Sequence, residues 1–274
     1  MVKTMNLHYE ERGAGSVLIN LHGWPAEHGQ MMAMMEPLFQ RPFNWRRIYP
    51  DLPGMGKSPG PKWLVSHDQM LDVVSEFIED IAPHQQIVLA GHSYGALLAR
   101  GLMHRHRDRV TAAFLLSPAA PADAPVPAGP PRVFAEDPQF DAELTETERA
   151  IVDLIHVRTL PVLHLLRTQA LPGLEAADHA FLDKIAASPG FSYLTEPSRN
   201  FSGPVLILSG RQDPAGHNHI YDLLADYPRA TCAILDRTGH LLFAEQPALL
   251  TALATEWLDR VEEVLRGDPQ SHHH

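Results

Sequence analysis

Gly91-His92-Ser93-Tyr94-Gly95 follows directly on the apolar run Ile87-Val88-Leu89-Ala90. A serine between two glycines, after a buried strand and before a helix, sits on a sharp turn that lifts its hydroxyl clear of the sheet. Side chains at the two glycine positions would clash in so tight a turn. Serine is a weak nucleophile at its free pKa; it needs a base within hydrogen-bond reach, and that base needs an orienting partner. Two later strand ends offer the pair. Val205–Ser209 runs into Gly210-Arg211-Gln212-Asp213-Pro214, and Thr231–Leu235 runs into Asp236-Arg237-Thr238-Gly239-His240. The chemistry available to Ser93, Asp213 and His240 is acyl transfer. His240 takes the Ser93 proton as Ser93 attacks a carbonyl carbon, Asp213 fixes the His240 tautomer, and water activated by His240 hydrolyses the acyl-enzyme.

The tetrahedral intermediate of such a reaction needs N–H donors for its oxyanion. The expected donors are the backbone N–H of Tyr94 and that of Trp24, in the loop His22-Gly23-Trp24-Pro25; Pro25 has no N–H to give. The side chains of Trp24 and Tyr94 then border the acyl pocket, with Met31 and Leu241 as further candidates for its lining. Met31, Met32, Met34 and Met35 fall on the helix expected after the oxyanion loop, where flexible thioethers fill core gaps or line pockets. His92 is expected to support the turn. His104 and His106 are expected at the surface near the carboxyl end of the next helix, where the dipole favours them. His217 and His219 lie near Asp213, but no carboxylate or cysteine cluster matches them as metal ligands. No metal and no other cofactor is expected.

The elements that must position these residues alternate along the chain. Strands are expected at Leu7–Glu11, Val17–Leu21, Arg46–Tyr49, Gln86–Ala90, Val110–Leu116, Val205–Ser209 and Thr231–Leu235. Several are continuous apolar runs, as parallel strands buried on both faces require. Helical periodicity covers residues 67 to 82, through Met70, Val73, Val74, Phe77, Ile78 and Ile81, and residues 247 to 265, with Gly267 as a stop. This predicts an α/β fold with a mostly parallel, doubly wound sheet. All three candidate catalytic loops then fall on the edge where such sheets bind ligands. The alternation breaks between Ser117 and Gly203. A proline-rich connector, Pro118–Pro131, leads to helical patterns around 145–157, 159–170 and 174–187. The expected organisation is a core of residues 1–117 and 203–267 with a helical cap at 118–202. Residues 271–274, Ser-His-His-His, look like the start of a purification tag and are set aside as ligands.

These motifs resemble the α/β-hydrolase superfamily over nearly the full length. The resemblance rests on His22-Gly23-Trp24-Pro25, on Asp51-Leu52-Pro53-Gly54-Met55-Gly56-Lys57-Ser58, on the turn at Ser93, on Gly210-Arg211-Gln212-Asp213 and on Gly239-His240. It implies the α/β-hydrolase fold, a cap after the sixth strand of the family's usual numbering, and a structural role for Asp51–Ser58. Epoxide hydrolases and haloalkane dehalogenases share the His-Gly-x-Pro start but use an aspartate nucleophile, so Ser93 points away from their chemistry. Perhydrolase-type esterases carry the same start with serine. Carbon–carbon hydrolases usually have a small, glycine-rich oxyanion loop, which Trp24-Pro25 does not match. The expected activity is hydrolysis of small or medium apolar carboxylic esters. Lactone or thioester hydrolysis, perhydrolase or carbon–carbon chemistry, and a small-molecule receptor that keeps the triad stand as alternatives.

Composition narrows the partners. In 274 residues, 33 acidic against 22 basic side chains give a net charge of −11, so no nucleic-acid or anionic-membrane partner is expected. The single cysteine, Cys232, forms no intrachain disulfide and suits a reducing compartment. The N-terminus shows no signal-peptide apolar region, so a cytoplasmic enzyme is expected, as monomer or homodimer, acting on a small-molecule acyl substrate.

Overall fold

The computed structural model describes residues 5–119, 132–196, 200–214 and 218–267. Most of the Pro118–Pro131 connector, His217 and residues 271–274 lie outside the described residues. Seven strands form one sheet: β1 (Tyr9–Arg12), β2 (Ser16–Leu21), β3 (Trp45–Pro50), β4 (Ile87–His92), β5 (Val110–Leu116), β6 (Val205–Gly210) and β7 (Ala230–Leu235). Their order is β1-β3-β2-β4-β5-β6-β7, and every pairing is parallel except β1 with β3. The register sets Leu21 opposite Gly91, His92 opposite Leu116 and Gly210 opposite Leu235, so the loops after β2, β4, β6 and β7 leave from one edge.

Side chains alternate across the sheet with the period of two that a strand imposes. Val17, Ile19, Ile87, Leu89, Val205 and Ile207 join one apolar layer; Leu18, Val88, Ala90, Leu206 and Leu208 join the other. Helices cover both layers. On the first lie α2 (His67–Ile81), capped by Ser66, whose hydroxyl accepts the Gln69 N–H at 3.3 Å, and α3 (Tyr94–Arg105). On the second lie α1 (His28–Met35) and the last helix, Pro247–Arg266. That last helix starts on a proline, which lacks the N–H a first turn cannot use. It stops at Gly267, whose φ of 73° closes it as a left-handed cap. Of the methionines on α1, Met31, Met34 and Met35 are core residues and Met32 packs against them.

Between β5 and β6 the expected helices break up. The 145–157 pattern yields α4 (Glu146–Ile151) and a tighter turn to Leu154; Val157–Arg158 instead pairs with Ala135–Glu136 as a short parallel ladder. A capping box starts α4: Thr145 accepts the Glu148 N–H, and the Glu148 carboxylate accepts the Thr145 N–H at 2.7 Å. The 159–170 pattern yields α5 (Leu160–Leu165) and then a π-helical turn to Ala170, where the Thr168 hydroxyl donates to the His164 carbonyl at 2.9 Å. The 174–187 pattern splits at Asp178, which ends α6 (Leu171–Ala176) and caps α7 (His179–Ala186) by accepting the Phe181 N–H at 3.1 Å. The segment reaches both layers: Val162, Leu163, Leu166 and Leu171 pack in the second, Phe181, Ile185, Phe191 and Tyr193 in the first.

His104 and His106 are half-buried rather than on the surface. His104 Nε2 lies 3.4 Å from a Glu196 carboxylate oxygen, and His106 Nε2 lies 2.5 Å from the Ser75 hydroxyl on α2, which packs beside α3. No helix among the described residues is long and apolar enough to cross a membrane.

Candidate active site

Ser93 ends β4 and precedes α3 with φ 53° and ψ −113°, a left-handed conformation that non-glycine residues rarely adopt. The turn is held by main chain. The Ser93 N–H donates to the Leu116 carbonyl on β5 at 2.9 Å. A Cβ on Gly91 would lie 2.3 Å from the Gly95 carbonyl oxygen, and a Cβ on Gly95 2.1 Å from that of Leu21. Only glycine lets β2, β4 and the start of α3 approach so closely. The Tyr94 N–H is the first of α3 and has no carbonyl one turn earlier in the helix to bond.

Asp213 and His240 meet across the loops after β6 and β7. His240 Nδ1 lies 2.9 and 3.0 Å from the two Asp213 carboxylate oxygens, and Asp213 is 1 % exposed. An Nδ1–H donated to the carboxylate leaves Nε2 with its lone pair. Burial pushes the His240 imidazole down, but the charge and hydrogen bond of Asp213 outweigh it and hold the pKa above its ordinary value. His92 joins this histidine to the Ser93 turn. Its Nε2 donates to the His240 carbonyl at 3.1 Å, the two rings lie 5.0 Å apart, and Nδ1 is 3.3 Å from the Gln30 side chain. Burial first, then the neighbouring His240, pushes His92 down to about 3, so it is neutral at working pH.

The loop after β2 closes on Ser93 from the other side. A Cβ on Gly23 would stand 3.4 Å from Ser93 Cβ and 2.8 Å from His92 Nδ1. The Gly23 N–H is taken by the Gln30 carboxamide at 3.0 Å. His22 is buried and its pKa is lowered, chiefly by desolvation; Nδ1 donates to the Gly23 carbonyl at 2.8 Å and Nε2 accepts the Leu52 N–H at 2.9 Å. Behind it, Asp51 accepts the N–H groups of His28 and Lys57 and the Nδ1 atoms of His8 and His28, all at 2.8 to 2.9 Å. Hydrogen bonds to Asp51 and Glu27 raise His28 to about 9, and Asp51 falls to about 2 because its hydrogen bonds outweigh burial. His8, His28 and Asp51 are also the group with metal-ligand spacing among the described residues, their donor atoms within 4.8 Å of one another. They stand behind the loop after β2, not at Ser93.

Aromatic rings form a wall that starts at Tyr94, the residue after Ser93. The Trp24 and Tyr94 rings meet edge to face at 4.9 Å, and the Tyr94 hydroxyl lies 2.9 Å from His67 Nδ1. Phe191 packs on His67 at 5.2 Å and on Tyr94 at 5.6 Å. His67, Phe191 and Gln30 escape a reading of the sequence, since His67 starts α2 and Phe191 follows α7; for Gln30 the signal is a polar residue amid the methionines of α1. Of the four candidate lining residues, Trp24 and Tyr94 come together here. Met31 and Leu241, 1 % and 4 % exposed, sit in the second apolar layer. His219 is half-buried near Asp213, and its pKa is lowered chiefly by desolvation.

Comparison with known proteins agrees with this architecture. Residues 17–253 match the model of a family described as the alpha/beta hydrolase family. The chain is 28 % identical over 265 residues to the AB hydrolase superfamily protein YisY of Bacillus subtilis (strain 168), covering 92 % of this chain and 95 % of the other. It is 24 % identical over 258 residues to a pimeloyl-[acyl-carrier protein] methyl ester esterase of Legionella pneumophila (strain Corby), covering 93 % and 100 %. The crystal structure of an alpha/beta superfamily hydrolase from Oenococcus oeni PSU-1 superposes with a TM-score of 0.86 at 26 % identity, over 95 % of this chain and 98 % of that one.

Proposed function

This chain belongs to the alpha/beta hydrolase family, and within it we propose a serine hydrolase that cleaves small or medium, apolar carboxylic esters through an acyl-enzyme. The observation that carries the reading is the His240 Nδ1–Asp213 contact at 2.9 Å, at the same sheet edge as a serine held at φ 53°. Ser93 attacks the ester carbonyl while His240 Nε2 takes its proton; the imidazolium so formed is stabilised by Asp213 and returns the proton to the departing alcohol. The N–H groups of Tyr94 and Trp24 receive the oxyanion, and loss of one such donor costs about 10²–10³ in turnover. Water then attacks the acyl carbon as His240 Nε2 takes its proton; the bond from the acyl carbon to Ser93 Oγ breaks, the acid departs, and the His240 imidazolium returns the proton to Ser93 Oγ.

The aromatic wall of Trp24, Tyr94 and Phe191, which starts at the residue after Ser93, supports an apolar acyl or alcohol group. The Legionella relative is by its name an esterase of a methyl ester, which supports an ester among acyl substrates. Residues 118–202 are proposed as the cap that roofs this pocket. The test is turnover of p-nitrophenyl esters from acetate to dodecanoate. Hydrolysis that peaks at short or medium chains supports the reading; no hydrolysis of any member rejects it.

A further inference from the structure

Glu245 is a buried carboxylate, 7 % exposed, for which the mechanism above has no use. It ends the single helical turn Leu242–Glu245, just after His240. Four donors converge on it. One oxygen accepts the Gly239 N–H at 2.7 Å and the Thr238 hydroxyl at 3.0 Å; the other accepts the His156 N–H at 2.5 Å and the Val157 N–H at 2.8 Å. The first two donors belong to the loop that carries His240. The other two belong to the segment between β5 and β6, where Val157–Arg158 pairs with Ala135–Glu136. Packing repeats the link: a Cβ on Gly239 would lie 2.5 Å from His156 Cδ2 and 2.7 Å from the Leu154 carbonyl oxygen.

The loop needs such a tie. β7 is the edge strand of the sheet and is half-buried throughout, so its end has one neighbouring strand where the Ser93 turn has two. Asp213 orients the His240 ring, and on the β6 side the Gln212 N–H donates to the Thr238 carbonyl at 3.1 Å; among the described residues no strand pairs with the outer side of β7. A buried carboxylate that fills its lone pairs with four donors from two segments holds both at once, because moving either strands polar groups away from water.

We propose that Glu245 is the positioning residue that locks the His240 loop to the proposed cap, so that the seating of the cap at His156–Val157 sets the alignment of the general base. The proposal rests on the assignment of His240 as that base. Glu148 is the natural control. It is equally buried and hydrogen-bonded to Thr145 and Arg167, but it lies wholly within the segment and touches no residue near His240.

The experiment compares Glu245→Gln, Thr238→Val and Glu148→Gln with the native protein. It measures ester kcat and KM against pH, the rate of fluorophosphonate labelling, and amide exchange of peptides covering 154–158 and 237–241. Glu245→Gln is expected to lower kcat about 10- to 100-fold with little change in KM. It should shift the acid limb of kcat/KM toward the ordinary histidine value and release both peptides together. Thr238→Val should move the same quantities in the same direction by less, and it decides the matter if Glu245→Gln does not fold. Glu148→Gln should lower thermal stability and leave the acid limb in place. Native labelling with an unmoved kcat and limb in the folded Glu245 or Thr238 variant overturns the proposal, as does release of only one of the two peptides. Absence of labelling in the native protein overturns the hydrolase reading itself, which keeps the two failures apart.

Discussion

The Ser93 turn leaves a strand paired on both sides and is fixed by main chain, whereas the His240 loop leaves the edge strand and adds to one main-chain bond a set of side-chain ties. At Ser93 the contacts are backbone to backbone: its N–H on the Leu116 carbonyl, Gly91 against Gly95, and Gly95 against Leu21. At His240 the Gln212 main-chain N–H bonds the Thr238 carbonyl at 3.1 Å, and the carboxylates of Asp213 and Glu245, the ring of His92 and the Gln212 carboxamide, whose oxygen accepts the Thr238 N–H at 3.1 Å, add side-chain ties. Main-chain geometry has few degrees of freedom, so the nucleophile turn should fail abruptly when its packing is disturbed. A loop held by replaceable side chains should fail by degrees, and without losing the fold.

Asp213→Asn is the largest expected effect among substitutions around the nucleophile. It removes the charge that holds the His240 tautomer, and turnover should fall about 10⁴-fold with the fold retained. The pH profile supplies the sign. The proposed hydrolysis needs neutral His240, and Asp213 raises its pKa, so the native acid limb should lie above the ordinary histidine value; without the charge, burial dominates and the limb should move to lower pH. Gly95→Ala tests the other region. Its Cβ meets the Leu21 carbonyl oxygen, so activity should fall about 10²-fold and stability by about 1–3 kcal/mol, lost together in kinetics and thermal melts. Retained stability in that variant would dissolve the contrast between the two regions.

A smaller effect is expected at the wall. Phe191→Ala should leave kcat on short esters near native and shift the preferred chain length upward, with about a 10-fold change in relative kcat/KM between short and long esters. The smallest concerns the support behind the oxyanion loop. Because His28 titrates at about 9 in the fold and near 6.5 when unfolded, its contribution to stability is complete below 6.5 and is lost as the pH rises through about 9. The native melting temperature should therefore decline across that range, and His28→Gln should flatten the decline while leaving the acid limb of ester hydrolysis unchanged.

What the sequence makes legible follows the same division. β2, β4 and β6 read as continuous apolar runs because parallel pairing buries both faces, and Gly267 reads as a helix stop because only a left-handed residue closes that cap. Ser93 and Asp213 stand out because each follows such a run, and His240 because it follows the half-buried edge strand β7. The segment between β5 and β6 is less legible. Its helical periodicity is present, but Asp178 and Thr168 divert backbone hydrogen bonds and divide the helices where apolar spacing shows no break. His67, Phe191 and Glu245 meet partners distant in the chain, such as Tyr94 and His156, and no local pattern announces such contacts.

The central claim is that Ser93 is a nucleophile activated by His240. Its most direct test is the intact mass of the protein after exposure to a fluorophosphonate, followed by peptide mapping. One adduct per chain on Ser93 is expected, absent in Ser93→Ala and slowed in His240→Ala, with ester turnover lost in step. An unlabelled Ser93, or an adduct on another residue with turnover intact in Ser93→Ala, would contradict it.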